Sequence, residues 1–193
     1  MDFVLKEDEK IKEFSKRLNS EIIVVNLIKS EDIRSLRRKI DSEKGIVVVE
    51  AGSDEINKSL FENKRVGILV GLEKNRERDF MKSRDSGLNQ TLCKLANKNK
   101  IIIGFSFSDV LNSNGIERSN MLGKMMQNAR LCRKYKVKMI VGSFASKWQE
   151  LRSESDLMAF GREIGIEKVN NKDVISFLEN KKDYIAEGVK LVK

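Results

Sequence analysis

Asp85, Asp109 and Asp156 are the side chains best suited to chemistry by type and setting. Each lies near the end of an apolar run, where carboxylates could gather around a magnesium ion. Helix capping or pairing with a cation is the competing account of all three. Histidine is absent from the 193 residues. That excludes imidazole-ligated zinc, mixed His and Asp metal clusters, and the Ser-His-Asp and Cys-His nucleophile arrangements. The chain also lacks a GxxxxGK[ST] loop and a GxGxxG turn that would cradle nucleotide phosphates. A Schiff-base lysine would have to be desolvated inside a strand, and Lys138, at the entrance to an apolar run, is the nearest case. The expectation is a chain with no catalytic residue and no metal ligand of its own.

What remains is positive charge. Lys and Arg number 38 against 29 Asp and Glu, a net charge of +9, and the sequence pI is near 9.5. An acidic partner, nucleic acid above all, is the natural counterpart. Arg84, Arg118, Lys124, Arg130, Arg133, Lys134, Lys147 and Arg152 fall in predicted loops and helix ends, and guanidinium groups grip phosphate oxygens bidentately. Aromatic residues make up 6% of the chain, too few for a base-stacking platform. Cys93 and Cys132 lie in helical stretches with neither CxxC spacing nor a disulfide ladder, which predicts buried thiols in a reducing compartment. The N-terminus is charged within six residues and no apolar run reaches membrane-spanning length, so the expectation is a soluble cytoplasmic protein.

The elements that must position these residues follow from periodicity. Runs rich in Ile, Val and Phe recur at Phe3 to Leu5, Ile22 to Ile28, Ile46 to Val49, Val66 to Val70, Ile101 to Phe107 and Met139 to Phe144, with a weaker one at Ile166 to Val169. Several are continuous rather than alternating, as strands covered on both faces are, and helical periodicity follows each. About seven βα units predict either a doubly wound sheet or a closed barrel. Regular recurrence without a nucleotide fingerprint favours a TIM-like (β/α) barrel, minimal or incomplete at this length. One domain is expected over 1–193, with short helices closing it at about 170–193.

Local signals agree with this layout. Ser30 before Glu31 and Asp32 reads as a helix N-cap and Gly45 as that helix's stop, while Ser53 and Asp54 open the next helix. A helix from about Glu117 to Lys134 should pack Leu122, Met125, Met126 and Ala129 on the sheet and project Lys124, Gln127, Leu131 and Lys134 away from it. On the same wheel Arg118 and Arg133 fall near the core side at opposite ends, from where each could reach a barrel rim.

The stretch Arg84-Asp-Ser-Gly-Leu-Asn-Gln-Thr-Leu, followed by Ile101-Ile-Ile-Gly-Phe-Ser-Phe, resembles archaeal ribonuclease P protein component 3, the counterpart of a eukaryotic ribonuclease P and MRP subunit. The likeness continues through Glu117-Arg118, Asn120-Met-Leu, Met125-Met126, Ala129-Arg130-Leu131, Lys134-Tyr-Lys-Val and Gly142-Ser143, then Asp156-Leu157 before Gly161 and Gly165. It covers residues 84 to 165, and the order and spacing of the pieces are more specific than any one of them.

This resemblance implies a barrel similar to the polymerase and histidinol phosphatase metal-dependent hydrolases, stripped of its metal ligands and serving a ribozyme. In such a particle the RNA removes the 5′ leader of precursor tRNA. This chain would support the RNA's catalytic domain together with protein component 2, alongside other ribonuclease P protein subunits. It would hold no cofactor, the Mg2+ belonging to the ribonuclease P RNA. Carried onto this sequence, the RNA-facing residues are Arg84, Arg118, Lys124, Arg130, Arg133, Lys147 and Arg152, whereas Asp109 after Phe107-Ser108 disfavours an RNA contact at that loop. The competing class is a metal-dependent barrel hydrolase acting on phosphate esters.

Overall fold

Every strand ladder runs parallel, and helices separate successive strands in the chain except at 22–28, where two short strands follow one another. The computed structural model describes residues 1–74, 85–167, 171, 173, 174, 176–178 and 181. The elements are β1 (Asp2–Val4), α1 (Glu9–Arg17), β2 (Ile22–Val24), β3 (Leu27–Ile28), α2 (Ile33–Ser42), β4 (Val48–Glu50), α3 (Asp54–Glu62), β5 (Ile68–Val70), α4 (Gln90–Lys98), β6 (Ile102–Ser106), α5 (Phe107–Asn112), α6 (Gly115–Lys134), β7 (Met139–Gly142), a 3-10 turn (Trp148–Glu150) and α7 (Glu154–Glu163).

Two ladders make up the wall: β1 with β2, and β3 through β7 in chain order. The run at 22–28 joins them, since β2 pairs with β1 and β3 with β4, and Val25 N donates to Val4 O (2.9 Å) between them. At the other seam β7 continues past its end onto β1. Phe144 N donates to Phe3 O and Leu5 N to Ala145 O, both at 2.8 Å, with a parallel bridge from Val4 to Ala145. The wall therefore closes on itself as a TIM-like barrel.

Side-chain alternation sorts two cores. Val48, Ile68, Ile102 and Ile140 turn inward with Phe3, Val70 and Phe144, while their neighbours Val49, Leu69, Ile103 and Val141 turn outward to the helices. Gly104 sits among the inward positions because a Cβ there would lie 2.6 Å from Val70 Cγ1 and 3.1 Å from Ile68 Cγ2. The strands read as continuous apolar runs because both of their faces are buried.

Described residues near the C-terminus stop the lower end of the barrel. Val174 and Leu178 join the inner core, Asn171 Nδ2 donates to Met1 O and Val141 O, and Lys181 Nζ donates to Val66 O (2.6 Å) and Lys100 O (3.0 Å). Burial, and then the charge of Lys100, bring Lys181 down to about 8.

The structure corrects several expectations. Ile166 and Glu167 form no strand, and 168–169 lie outside the described residues. The run at 22–28 is two short strands. Asp32, not Ser30, caps α2, its Oδ2 accepting from Ser35 N at 2.7 Å; Ser30 Oγ accepts from Asp32 N instead. That helix ends at Ser42 with Glu43 as its cap, short of Gly45, whereas Ser53 caps α3 as read. On α6 the buried stripe is Met121, Lys124, Met125, Asn128, Ala129 and Cys132. Met126 is exposed, while Lys124, read as outward, is buried. Leu131, also read as outward, packs against the outer core. Both cysteines are free and buried.

Candidate functional site

The carboxyl ends of the strands, where parallel barrels keep their chemistry, carry a chain of alternating charges. Lys29 follows β3, Glu50 ends β4, Lys74 follows the turn at Gly71 (φ +76°) after β5, and Asp109 lies in the first turn of α5 beyond β6. Lys29 Nζ lies 2.6 Å from Glu50 Oε2, and Lys74 Nζ lies 2.8 Å from both Glu50 Oε1 and Asp109 Oδ1. Although burial opposes it, Lys29 and Lys74 hold the Glu50 carboxyl below its usual range. Burial likewise pulls Lys74 down, but Asp109 and Glu50 win and raise it. The ammonium group of Lys74, beyond β5, thus ties together carboxylates from the strand ends on either side of it.

One residue earlier, Glu73 turns into the protein and is 5% exposed. Its Oε1 accepts from Asn128 Nδ2 (2.9 Å), which also donates to Ser86 O (2.9 Å). Burial, reinforced by Asp109, lifts the Glu73 carboxyl to about 7 against the hydrogen bond from Asn128. Gln127 Nε2 adds a bond to Ser86 Oγ (3.1 Å), and Asp85 Oδ1 accepts from Gly87 N (3.2 Å). The motif segment from Asp85 is therefore docked on α6, with Leu88 in the outer core. Beside it opens a cleft of about 660 Å³, lined by Lys74, Asp109, Asn112, Glu117, Met121 and Lys124 among others.

The expected phosphate-binding residues divide. Arg130 and Lys147 are exposed, on α6 and beside the 3-10 turn. Arg133 is exposed and pairs with Glu167 at 3.3 Å. Arg152 donates to Gln149 O and Leu151 O and lies 5.0 Å over the Phe107 ring. Arg118 is turned onto the backbone of α5: Nε donates to Val110 O and Ser113 O and Nη2 to Leu111 O, which satisfies carbonyls at the end of that helix. Lys124 is 7% exposed in the cleft wall, and Arg84 lies outside the described residues. Among the described residues, Arg118, Lys124, Arg130 and Arg133 share α6, and Lys147 and Arg152 flank the 3-10 turn.

The three aspartates do structural work. Asp85 caps its own turn, Asp109 pairs with Lys74, and Asp156 forms a reciprocal cap with Ser153. Among the described residues no three His, Cys, Asp or Glu groups converge in a way that could hold a metal. Sequence reading missed Glu50, Glu73, Lys74 and Asn128. Glu73 and Lys74 follow Val70 closely, so the strand-end rule would have found them.

Fold and mouth together define a class: a parallel α/β barrel whose strand ends are tied by lysine–carboxylate pairs. Residues 15–181 match the family model described as RNase P subunit p30. The chain is 32% identical over 169 residues to ribonuclease P protein component 3 of Methanosarcina mazei, covering 83% of this chain and 67% of that protein. It is 32% identical over 160 residues to the same component of Thermococcus kodakarensis, covering 81% and 69%. Among solved structures, a chain in the cryo-EM structure of archaeal Ribonuclease P with mature tRNA superposes with a TM-score of 0.68 at 23% identity, covering 94% of this chain and 79% of that one. This protein belongs to the ribonuclease P subunit p30 family. Among the described residues, no helix is long and apolar enough to cross a membrane.

Proposed function

We propose that this chain is a protein subunit of ribonuclease P that supports the catalytic RNA in removing the 5′ leader of precursor tRNA, and is not itself the catalyst. One observation carries the reading beyond family membership. At the mouth of the barrel, where a hydrolase of this architecture would hold its metal, the Glu50 and Asp109 carboxylates are engaged by the ammonium of Lys74. The chain's net charge of +9 remains for RNA phosphates, which Lys and Arg bind by displacing condensed counterions.

The subunit acts in the cytoplasm, engages the catalytic domain of the ribonuclease P RNA together with protein component 2, and leaves Mg2+ to the RNA. Arg130, Arg133 and Lys147 offer exposed cationic heads for that contact, and Arg84, Lys124 and Arg152 complete the expected set. Arg118 contributes by holding α5 in place. Recognition proceeds through phosphates, 2′-hydroxyls and shape more than base edges. Footprinting the RNA with this chain, with and without component 2, tests the assignment. Protection confined to the catalytic domain and strengthened by component 2 supports it, and an unaltered cleavage pattern overturns it.

A further inference from the structure

The seven phosphate-binding candidates all lie between residues 84 and 152, but a second cationic face stands elsewhere on the barrel. Helix α2 buries Leu36 and Ile40, and the helical period turns Arg34, Arg37 and Arg38 to solvent. Three cations at i, i+3 and i+4 repel one another, an arrangement that weakens an isolated helix.

Nearby acids relieve that repulsion only in part: the Asp32 charge acts on Arg34 and Arg38 through space, but among the described residues no carboxylate pairs directly with the three arginines. Asp32 Oδ2 accepts from Ser35 N at 2.7 Å, and Asp41 pairs with Arg65 at 3.7 Å. Glu43 accepts from Gly45 N and Asn26 Nδ2. Arg37 reaches across to Ser59 Oγ on α3 (3.2 Å), and among the described residues none of the three arginines forms an ion pair. A row of exposed guanidinium groups on one helical turn, none in direct contact with a carboxylate among the described residues, is complementary to consecutive phosphates of a polyanion.

Position gives this face its meaning. Around the barrel α2 adjoins α3, α3 packs on α4, and α4 packs on α6. Two helices, roughly 20 Å of protein, stand between the α2 face and the α6 face. With α3 and α4 between them in the ring of helices, the α2 and α6 faces look out from different sides of the barrel.

We propose that Arg34, Arg37 and Arg38 form a second RNA-phosphate surface, engaging an RNA segment separate from the one that meets α6, so that the subunit braces two parts of the RNA against each other. This rests on the reading of the chain as a ribonuclease P subunit.

The test uses the full chain and full-length ribonuclease P RNA, comparing wild type, R34A/R37A/R38A, the charge-keeping R34K/R37K/R38K and R130A by salt-dependent binding and hydroxyl-radical footprinting. The alanine triple should lower the slope of log affinity against log salt by roughly 2 to 3. It should also erase one protected RNA patch and leave a second, which R130A weakens; the lysine triple should keep both. If the alanine triple leaves slope and footprint unchanged while R130A weakens binding, the second surface is wrong and the subunit reading stands. If the alanine triple dims both patches together, the separate segment is wrong. If α2 cross-links to another protein subunit in the assembled particle and not to RNA, the surface belongs to a protein contact. Wild type that protects no RNA at all removes the subunit reading itself.

Discussion

Asn128 Nδ2 bridges Glu73 Oε1 and Ser86 O, at 2.9 Å to each, and so joins the strand-end loop after β5, the motif segment and α6 at one buried point. Asn128 is fully buried, and among the described residues its Oδ1 has no hydrogen-bond partner. Replacing Asn128 with alanine leaves both acceptors unpaired and should cost about 1–3 kcal/mol in urea unfolding. It should also loosen the Asp85 to Leu88 segment, read as faster amide exchange there. Unchanged exchange would mean that the segment is held by Leu88 packing alone.

Glu73 sets a pH dependence. Its carboxyl is raised from 4.5 to about 7 in the folded state. The folded chain therefore keeps a proton that the unfolded chain releases above about pH 4.5. Stability from this group is complete below that pH and declines as pH rises towards 7. Glu73→Gln removes the decline and should gain roughly 3 kcal/mol over wild type at pH 8, little of it at pH 4.5. Parallel stability curves for the two proteins across that range would contradict this.

Lys74 has the opposite signature through Glu50, whose carboxyl is held low by its lysine partners. That stabilisation is present above the ordinary carboxylate range and fades as pH falls through it. Lys74→Met should destabilise the protein by about 2–4 kcal/mol at pH 7, since it leaves Asp109 and half of Glu50 unpaired in a partly buried site. The deficit should shrink at pH 4. A deficit independent of pH would point to lost packing instead.

Arg118 and Arg130, about three turns apart on α6, separate architecture from RNA contact. Arg118→Lys loses the fork that serves three carbonyls and should cost about 1–3 kcal/mol of stability while leaving the salt slope of RNA binding unchanged. Arg130→Ala should leave the melting temperature unchanged and lower that slope by about 1. Reversed outcomes would exchange their roles.

The barrel was legible because its strands are buried on both faces: Val48 and Ile68 fill the interior while Val49 and Leu69 meet helices, so each run reads as uninterrupted hydrophobicity. Hydropathy misassigned α6 for a physical reason. Its buried stripe includes Asn128, whose amide joins loops, and Lys124, whose four-carbon stem can lie along a wall while its head stays in a cleft. Met126 consequently looked like a better core residue than either, yet it is exposed. The charge chain at the mouth was hidden because Lys29, Glu50, Lys74 and Asp109 lie far apart in sequence and meet only when parallel strands align their ends. Arg118 misled because a guanidinium fits backbone carbonyls as well as phosphates.

The most direct test of the account is precursor-tRNA cleavage in Mg2+ by ribonuclease P RNA with component 2, measured with and without this chain, and by the chain alone. The account predicts faster 5′-leader removal when the chain is added, no cleavage by the chain alone, and no gain from Mn2+ or Zn2+ supplied to it. Metal-dependent cleavage by the isolated chain, or an RNA with component 2 whose rate the chain does not change, would contradict it.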